Sequence, residues 1–584
     1  MKSIHRGLAA LALLAVCGCD GSLDSSKPNA PDDRGLPSDP AAVEAAASGS
    51  LRMWFNAWTA LRSAATMDAQ ARTYSSSWNN GNMSFYSGIY DLAGAKIAQD
   101  DTAYAPIDWT RNGAPWQNDP SAVARTSIDA FWSGGLDESG ISRPGFYAVL
   151  SSANDALREI RRAVNPIVIG DVATTKRAET IAQLMQGAAL MGIALNFDKG
   201  YYADETTDLG TLAYISRKAM RDSAIARLND AHALAIANAF TTNASWANGV
   251  AYTNVQIGQI AKTMVAMTLA YYPRDNAEAL AVDWSAVAAA TESGMKSDFT
   301  FIGDGCAAWC HETAMWMNSL DTGRLWTRVA YLLAPANQSD PFPFSAGNPQ
   351  PNSIDKRLGD GSFGVASMTA YFGTVPKTAN GGSDFAHSSR AIFRPERGFY
   401  HQSNIGHVRF DATGMQSPTG IYLGYGSAPV LTATLNDLLW AEALLRQGGT
   451  AKVAAAAALI DKTRVSRGSL STTVGTASNG ADTDGPCTST GILAKDGSTC
   501  TMWSKLLYEN EIELLGLGPV PYYNQRHLPN VQASAFGGHK ARWVQGLLPG
   551  TPREMPVPYK ELAVKGEALY TFGGKGAANS PTPP

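Results

Sequence analysis

The stretch Ile181-Ala182-Gln183-Leu184-Met185-Gln186-Gly187-Ala188-Ala189-Leu190-Met191-Gly192-Ile193-Ala194-Leu195 decides the fold of this chain. Its apolar residues recur in steps of three and four, which is the spacing of one face of an α-helix. The residues of that face are Ile181, Leu184, Met185, Ala188, Met191, Gly192 and Leu195. Small residues among them allow a second helix to approach closely. The stretch therefore predicts a long helix packed inside a helical protein.

Similar patterns recur on both sides of this stretch, and most of them come in pairs. The further predicted helices cover residues 53–61, 214–238, 255–272, 276–292, 431–446 and 451–463. Pro273 separates one pair, and Gly448-Gly449 separates another. Antiparallel pairs that follow one another in this way predict tetratricopeptide-like units stacked into a superhelix.

Composition and charge exclude several classes of protein. The chain has 584 residues, of which 45% are apolar and 17% charged, so it can bury a large core. Its 47 basic and 51 acidic residues give a net charge of −4, which does not favour a nucleic-acid binder. After the N-terminus no run of apolar residues is long enough to span a bilayer, which excludes a polytopic membrane protein.

The N-terminus has the pattern of a bacterial lipoprotein signal. Lys2 and Arg6 precede a short apolar run, which ends at Val16-Cys17-Gly18-Cys19. Cys19, with Gly18 before it, is the predicted acylated residue. We therefore predict a signal peptide over 1–18, a lipidated extended tether over 19–50, and a single domain over 51–584. A plain secretory peptide with two incidental cysteines is the alternative, and Asp20 leaves the final membrane open.

The four remaining cysteines form two close pairs in the sequence. An even number of cysteines in an exported chain predicts two disulfides, Cys306–Cys310 and Cys487–Cys500. A haem-attachment motif has two residues between its cysteines, whereas Cys306 and Cys310 are separated by three. The sequence shows no zinc spacing and no calcium loop. We therefore predict no cofactor and no metal ligand, and the sequence leaves open whether a calcium ion supports the binding site.

Long segments rich in Gly, Asn, Ser and aromatic residues separate the helical pairs. These segments cover about 75–130, 300–430 and 468–500, and loops of this length in a compact protein usually carry function. Tryptophans within helical patterns are instead predicted to belong to the core: Trp54, Trp58, Trp132, Trp284, Trp440 and Trp503.

Several short segments, taken in order, carry a resemblance to a known family. They are Cys19-Asp20-Gly21-Ser22-Leu23-Asp24, Gly145-Phe146-Tyr147 with Asn154-Asp155-Ala156-Leu157, Asp198-Lys199-Gly200-Tyr201, Leu438-Leu439-Trp440-Ala441-Glu442-Ala443, Leu507-Tyr508-Glu509-Asn510-Glu511-Ile512-Glu513-Leu514, Tyr523-Asn524-Gln525-Arg526, and Arg553-Glu554-Met555-Pro556-Val557-Pro558-Tyr559-Lys560-Glu561-Leu562. In this order they resemble the SusD/RagB family of outer-membrane nutrient-binding lipoproteins. The resemblance spans nearly the whole mature chain.

The resemblance implies a mostly α-helical, SusD-like superhelix with long irregular loops and little β-structure. It also implies a binding protein and not an enzyme. Members of the family capture oligosaccharides, or in some cases peptides, and pass them to a SusC-like TonB-dependent transporter. Their location is the outer membrane, where they are lipid-anchored and exposed at the cell surface.

Two segments have the composition of a sugar-binding site, which needs aromatic platforms and polar side chains for hydroxyl groups. The first contains Trp78, Asn80, Tyr104, Trp109, Arg111, Asn112 and Trp116. The second contains Trp309, His311, Trp316, Asn318, Arg324 and Trp326. In the family an early loop and a mid-chain loop supply the aromatic residues, and these two segments occupy comparable places. His311 is also compatible with a polar residue at the surface.

Two other functions remain open from the sequence. A periplasm-facing tetratricopeptide scaffold would bind another protein through concave helix faces. An exported glycoside hydrolase would need two carboxylates converging in one cleft. Glu509, Glu511 and Glu513 are spaced by two residues, which predicts different helix faces and no convergence, so no catalytic residue is predicted.

Overall fold

A computed structural model describes more than half of the chain. The described residues are 39–60, 64, 66–76, 130–136, 142–274, 276–313, 323–334, 337–338, 349–361, 364–365, 382–388, 403–412, 424–474, 502–527 and 553–567. Cys19, Cys487 and Cys500 lie outside them.

Helices make up most of the described structure, which confirms the prediction of a mostly α-helical fold with minor β-structure. They are α1 (Pro40–Trp58), α2 (Thr66–Gln70), α3 (Phe146–Ile160), α4 (Val172–Asn196), α5 (Arg217–Ala237), α6 (Asn254–Ala270), α7 (Asn276–Leu280), α8 (Trp284–Glu292), α9 (Thr327–Leu333), α10 (Arg409–Ala412), α11 (Ala433–Gln447), α12 (Thr450–Arg464), α13 (Met502–Glu513), α14 (Val520–His527) and α15 (Tyr559–Lys565).

The strands of the described residues are short and form small separate sheets. They are β1 (Tyr74–Ser76), β2 (Gly134–Leu136), β3 (Ser142–Pro144), β4 (Lys199–Tyr201), β5 (Tyr214–Ser216), β6 (Phe299–Asp304), β7 (Gly323–Leu325), β8 (Gly364–Val365), β9 (Phe385–Ser388), β10 (Ile405–His407) and β11 (Tyr425–Leu431). The pairs β1–β7, β2–β3, β4–β5 and β6–β11 are antiparallel, and β10, β9 and β8 form one three-stranded sheet.

Helix α4 lies at the centre of the helical layer, between α3 and α5. Every residue from Ala178 to Asn196 is buried, so the helix is covered all round and not only along its predicted face. Two glycines explain the close packing: a Cβ at Gly187 would lie 2.7 Å from Leu228, and one at Gly192 would lie 2.6 Å from the Phe146 ring. Glycine is therefore required where the neighbouring helices cross α4.

Helix α1 corrects the predicted boundary of the tether. It begins at Pro40 and not at Met53, with the Asp39 carboxylate accepting from the Ala41 N–H at the N-cap. Val43 and Ala47 are fully buried, so residues 40–50 belong to the folded domain. The prediction of a tether to residue 50 was wrong because an Ala-rich run with an Asp-Pro start is also a good helix.

Two buried arginines bind backbone carbonyl groups at the end of the helical layer where α4 and α6 finish. Arg526 donates to the carbonyl oxygens of Leu195 and Tyr271 at 2.9 and 2.7 Å, and Arg274 donates to those of Ala194 and Tyr272 at 2.9 and 2.7 Å. These carbonyls lie at the C-terminal ends of α4 and α6, where helical acceptors have no partner within the helix. The segment around Met555 also binds there, through its N–H and the Asn196 carbonyl at 2.6 Å.

The mid-chain segment 300–430 is more regular in its described parts than the sequence predicted. It contains β6 to β11, α9 and α10, and residues such as Leu325, Leu333 and Phe385 form a second buried cluster with Tyr508 and Ile512 of α13. The prediction of an irregular loop was wrong there because strands of two to seven residues leave little periodic signal.

The core predictions for tryptophan are confirmed. Trp54, Trp58, Trp132, Trp284 and Trp503 are buried, and Trp440 is partly buried against the same core. Among the described residues, no helix has both the length and the apolar character needed to cross a membrane.

Candidate functional site

The two segments predicted to bind ligand are joined at one strand pair. Strand β1 ends where residues 77–129 begin, and β7 begins where residues 314–322 end. In the antiparallel register Ser76 lies opposite Gly323. The residue that precedes residues 77–129 therefore lies next to the residue that follows residues 314–322.

A second contact joins β3, which follows the first segment in the chain, to a residue just before residues 314–322. The chain returns from the first segment through the hairpin β2–β3, and Arg143 of β3 forms an ion pair with Glu312 at 2.8 Å. Glu312 lies next to the start of residues 314–322. Both side chains are only 11% exposed, which strengthens the pair relative to one in water. The strand that follows the first segment is thus paired with a residue just before residues 314–322.

Most of the predicted binding residues lie outside the described residues. These are Trp78, Asn80, Tyr104, Trp109, Arg111, Asn112 and Trp116 of the first segment and Trp316 and Asn318 of the second. Their role in binding stays a prediction.

Trp309 is a core residue, which contradicts its prediction as a ligand platform. Its ring stacks on Phe301 at 5.2 Å and contacts Phe55 at 5.5 Å, and only 6% of the residue is exposed. The sequence around Trp309 is typical of a loop. Strand β6 ends only a few residues earlier, however, and the Trp309 ring packs inward. Trp309 therefore fixes its loop to the core, and neither face of its ring is open to a ligand.

Three other residues of the second segment are buried as well. Arg324 lies in β7, opposite Ser75, and Trp326 lies at the start of α9. His311 is fully buried between Phe55 and Phe410, which contradicts a surface position. The predictions were wrong because polar and aromatic composition alone does not distinguish an exposed loop from a packed strand end.

A disulfide closes the loop that carries Trp309. Cys306 and Cys310 are bonded to each other, and Cys306 has a positive φ of 65°. Inside the loop the Asp304 carboxylate accepts from the N–H groups of Ala308 and Trp309 at 3.0 to 3.1 Å. These bonds hold the loop in one conformation, with Ala307 exposed at its tip.

Residues of helix α1 and its C-cap hydrogen-bond to the disulfide loop. The Asn56 amide donates to the Ala308 carbonyl at 3.1 Å, and the Thr59 hydroxyl donates to the Cys310 carbonyl at 3.2 Å. Gly305 leaves space for Tyr425, since a Cβ there would lie 2.3 Å from its ring. Tyr425 is half-buried beside the loop, and sequence reasoning missed it. The neighbouring Gly303-Asp304-Gly305 and Gly424-Tyr425-Gly426 were the available signal.

The glutamates of α13 are buried and form ion pairs with arginines, and they do not line a cleft. Arg357 binds Glu509 and Glu513, both through its Nη1 at 2.7 Å, and it binds Asp355 at 2.7 Å; all four side chains are fully buried. Glu511 points elsewhere and pairs with Arg328. The prediction that none of the three converge was wrong for Glu509 and Glu513, because residues four apart share a helix face.

Burial and arginine contacts set the charge state of these glutamates. Burial alone would raise the pKa of Glu513, but Arg409, Arg357 and Arg467 outweigh it and hold the pKa at about 2. For Glu509 burial dominates and raises the pKa, although Arg357 opposes it. A glutamate paired in this way acts as a structural counter-ion.

His407 makes the free energy of unfolding of the protein depend on pH. Both ring nitrogens are buried without a hydrogen-bond partner, between Phe385 and Phe410. Burial lowers its pKa to about 3; the charges acting on it are those of Asp384, Arg409, Glu513 and Arg467. Because the unfolded chain binds a proton near pH 6.5 and the folded chain does not, the stabilising effect of neutral His407 is lost as pH falls from about 6.5 towards 3.

We predict that His407→Phe and His407→Gln reduce this acid sensitivity. Between pH 7 and pH 5 each variant should lose about 2 kcal/mol less unfolding free energy than the wild type, at 1.36 kcal/mol per pKa unit. Urea unfolding at the two pH values measures the difference. An unchanged pH dependence in both variants would show that His407 titrates normally in the folded protein.

Within the described residues, no three His, Cys, Asp or Glu side chains are grouped so as to hold a metal ion.

Comparison with known proteins gives structural neighbours only. No family model and no curated protein matches the chain. Among solved structures, a SusD superfamily protein from Bacteroides thetaiotaomicron is similar, with 11% identity, a TM-score of 0.48, and coverage of 90% of this chain and 98% of that one. A SusD superfamily protein from Bacteroides vulgatus is similar with 12% identity, a TM-score of 0.49, and coverage of 91% and 98%.

A third solved structure is described as a laminarin-binding SusD-like protein. It is similar with 14% identity, a TM-score of 0.45, and coverage of 91% of this chain and 98% of that one.

Proposed function

We propose that this chain is a SusD/RagB-type lipoprotein that binds oligosaccharides at the cell surface. The observation that carries the proposal is the joining of the two aromatic segments, at Ser76 and Gly323 and again at Arg143 and Glu312. A sugar site needs aromatic faces with polar groups around them, and both segments have that composition. Because described residues that flank the two segments contact each other, we infer one combined site.

The lipid anchor at Cys19 and the transfer of ligand to a TonB-dependent transporter belong to the same proposal. They are supported by the signal pattern and by the order of the family motifs along the chain. A peptide ligand remains the second candidate, since aromatic platforms also bind peptides.

The buried state of the α13 glutamates bears on the alternative of a hydrolase. Glu509 and Glu513 share Arg357 inside the protein, and none of the three glutamates of α13 is exposed. A glycosidase needs two carboxylates on either side of a bound sugar. These glutamates therefore cannot supply that pair.

We predict that Trp109→Ala and Trp116→Ala each weaken glycan binding by about tenfold or more, since truncating a central aromatic platform costs about 1.4 kcal/mol or more. The measurement is calorimetric titration of the purified protein with β-glucan and chitin oligosaccharides. Trp440→Phe, on helix α11, is the matched control and should bind like the wild type. Unchanged binding in both loop variants would place the site elsewhere.

The partner is tested by gentle extraction of the lipidated protein from membranes, followed by mass spectrometry of the proteins that accompany it. We expect a TonB-dependent barrel. Periplasmic proteins in its place would favour the tetratricopeptide scaffold and would reassign the aromatic segments to protein contacts.

A further inference from the structure

A hollow of about 370 Å³ lies where the C-terminal end of α3 meets α4 and α5. Its lining residues are Arg161, Gln183, Asp230, Ala233, Leu234 and Ala237, and none of them belongs to the two aromatic segments of the proposed site. The volume is at the lower end of the range for pockets that hold small organic molecules. The hollow is therefore a candidate for a second binding site.

The α5 wall of the hollow is aliphatic and open to solvent. Ala233, Leu234 and Ala237 are three or four residues apart or adjacent, so they share one face of the helix. Ala233 and Ala237 are exposed, and Leu234 is half-buried. Because alanine side chains are short, the space beside this face stays free. The wall therefore offers a shallow aliphatic surface to the C–H groups of a ligand.

Gln183 of α4 supplies the hollow with a hydrogen-bond acceptor that has no partner. The side chain is fully buried, and its Nε2 donates to the Gln186 Oε1 at 2.8 Å and to the Arg227 carbonyl at 3.4 Å. Among the described residues, its Oε1 has no hydrogen-bond partner. A buried carbonyl oxygen in this state costs free energy. Because Gln183 lines the hollow, a donor group placed there can satisfy that oxygen.

The other polar groups of the hollow are held in place by the protein. The Arg161 Nε donates to Glu179 at 2.8 Å, and its Nη1 donates to Glu205 at 2.6 Å. Gln186, the partner of Gln183, also donates to Glu205 at 3.0 Å. The Arg161 Nη2 donates to no described residue, so it is available to an acceptor. A polar wall that is fixed before a ligand arrives lowers the entropy cost of binding.

The charged groups at the hollow carry no net charge. They belong to two groups of ion pairs, and in each group the cations and anions are equal in number. The first consists of Arg161, Lys176, Glu179 and Glu205, and the second of Arg227 and Asp230. A site without net charge does not favour an ion over a neutral molecule. The hollow therefore favours a neutral ligand whose groups both donate and accept hydrogen bonds.

We infer that the hollow is a second, weak site for one unit of a neutral sugar, separate from the aromatic segments. Hydroxyl groups both donate and accept, so they can donate to the Gln183 Oε1 and the Asp230 carboxylate and accept from the Arg161 Nη2. The C–H groups of the sugar ring lie against Leu234 and its neighbouring alanines. This inference goes beyond the proposed function, because it assigns a sugar contact to the helical layer.

The test follows the leucine methyl signals of the purified protein by NMR while methyl β-glucoside or N-acetylglucosamine is added. Leu234→Ile identifies the Leu234 signals by removing them. Ala233→Trp fills the hollow, and the fold should tolerate it because Ala233 is exposed. Ala219→Trp is the matched control, since Ala219 is also exposed on α5 and lies about 21 Å away along the helix.

We expect at least one of the two sugars to shift the Leu234 methyl signals with a dissociation constant on the order of millimolar, as for a small ligand in a shallow site. Ala233→Trp should weaken this binding by about tenfold or more, and Ala219→Trp should leave it unchanged. No shift with either sugar would overturn the inference, because the hollow would then hold water alone. A larger response to leucine, which carries both charges and an apolar side chain, would overturn the assignment to a neutral sugar.

The double variant of Trp109→Ala and Trp116→Ala separates this site from the proposed aromatic site. We expect the Leu234 response to persist in it, while calorimetry shows that oligosaccharide binding is weakened. If the Leu234 response disappears together with the two tryptophans, the hollow is not a separate site and the inference is wrong. If Leu234 responds and oligosaccharide binding is unchanged, the hollow stands and the aromatic site is wrong.

Discussion

Replacing Arg357 with methionine is expected to lower the free energy of unfolding by at least about 3–5 kcal/mol, the cost of breaking a buried ion pair from one side. Arg357 is the shared partner of Asp355, Glu509 and Glu513. Without it three buried carboxylates lie close together, and water cannot reach them. Burial already raises the pKa of Glu509 with the arginine present, so the variant should take up protons to fold.

Chemical denaturation at pH 7 measures the effect, and Arg52→Met is the matched control. Arg52 is exposed on α1, so its loss should change stability by no more than about 0.5 kcal/mol. Glu509→Gln combined with Arg357→Met should recover part of the loss, because one of the uncompensated charges is removed. A loss under about 1 kcal/mol for Arg357→Met alone would mean that the carboxylates find other partners.

Replacing Phe55 with alanine is expected to cost about 3–5 kcal/mol, as for other buried phenylalanines. Phe55 is fully buried, and its ring contacts Phe301 at 4.8 Å and Trp309 at 5.5 Å. The change leaves a cavity beneath the disulfide loop, so Trp309 should lose its fixed position. We therefore expect a second effect, faster hydrogen exchange of the Ala308 and Trp309 amides.

Phe55→Leu is the graded control, since it keeps most of the volume and should cost less than about 1.5 kcal/mol. Denaturation gives the stability of each variant, and hydrogen exchange with mass spectrometry reports on the loop. If Phe55→Ala destabilises the protein but leaves exchange in residues 304–310 unchanged, the loop does not depend on α1 for its conformation.

Much of the helical layer could be predicted from periodicity. The helix predicted over 214–238 is observed at Arg217–Ala237, and the break at Pro273 lies where the sequence indicates. Such helices are local: their spacing, N-caps and breaks depend on residues only a few positions apart. The start of α1 was the exception, because an Ala-rich helix and a flexible tether have similar compositions.

The candidate site shows the limit of composition as evidence. Trp309 and Arg324 were predicted to bind ligand, and His311 was compatible with the surface, because they lie in a segment that is rich in aromatic and polar residues. The fold buries all three, since strands β6 and β7 pair with partners more than a hundred residues distant. A contact of that kind has no signature in the local sequence.

The amino-acid sequence by itself determined the helical class of this protein, the positions of most helices, and the family that its motifs resemble. The tertiary structure alone decided that Trp309 and Trp326 are buried and that Glu509 and Glu513 meet at Arg357. It also decided that Ser76 pairs with Gly323 and that Arg143 pairs with Glu312. The physical reason is the separation in sequence of the residues that interact. Helix periodicity and capping depend on residues a few positions apart, whereas burial and ion pairing depend on elements that meet only after the chain has folded.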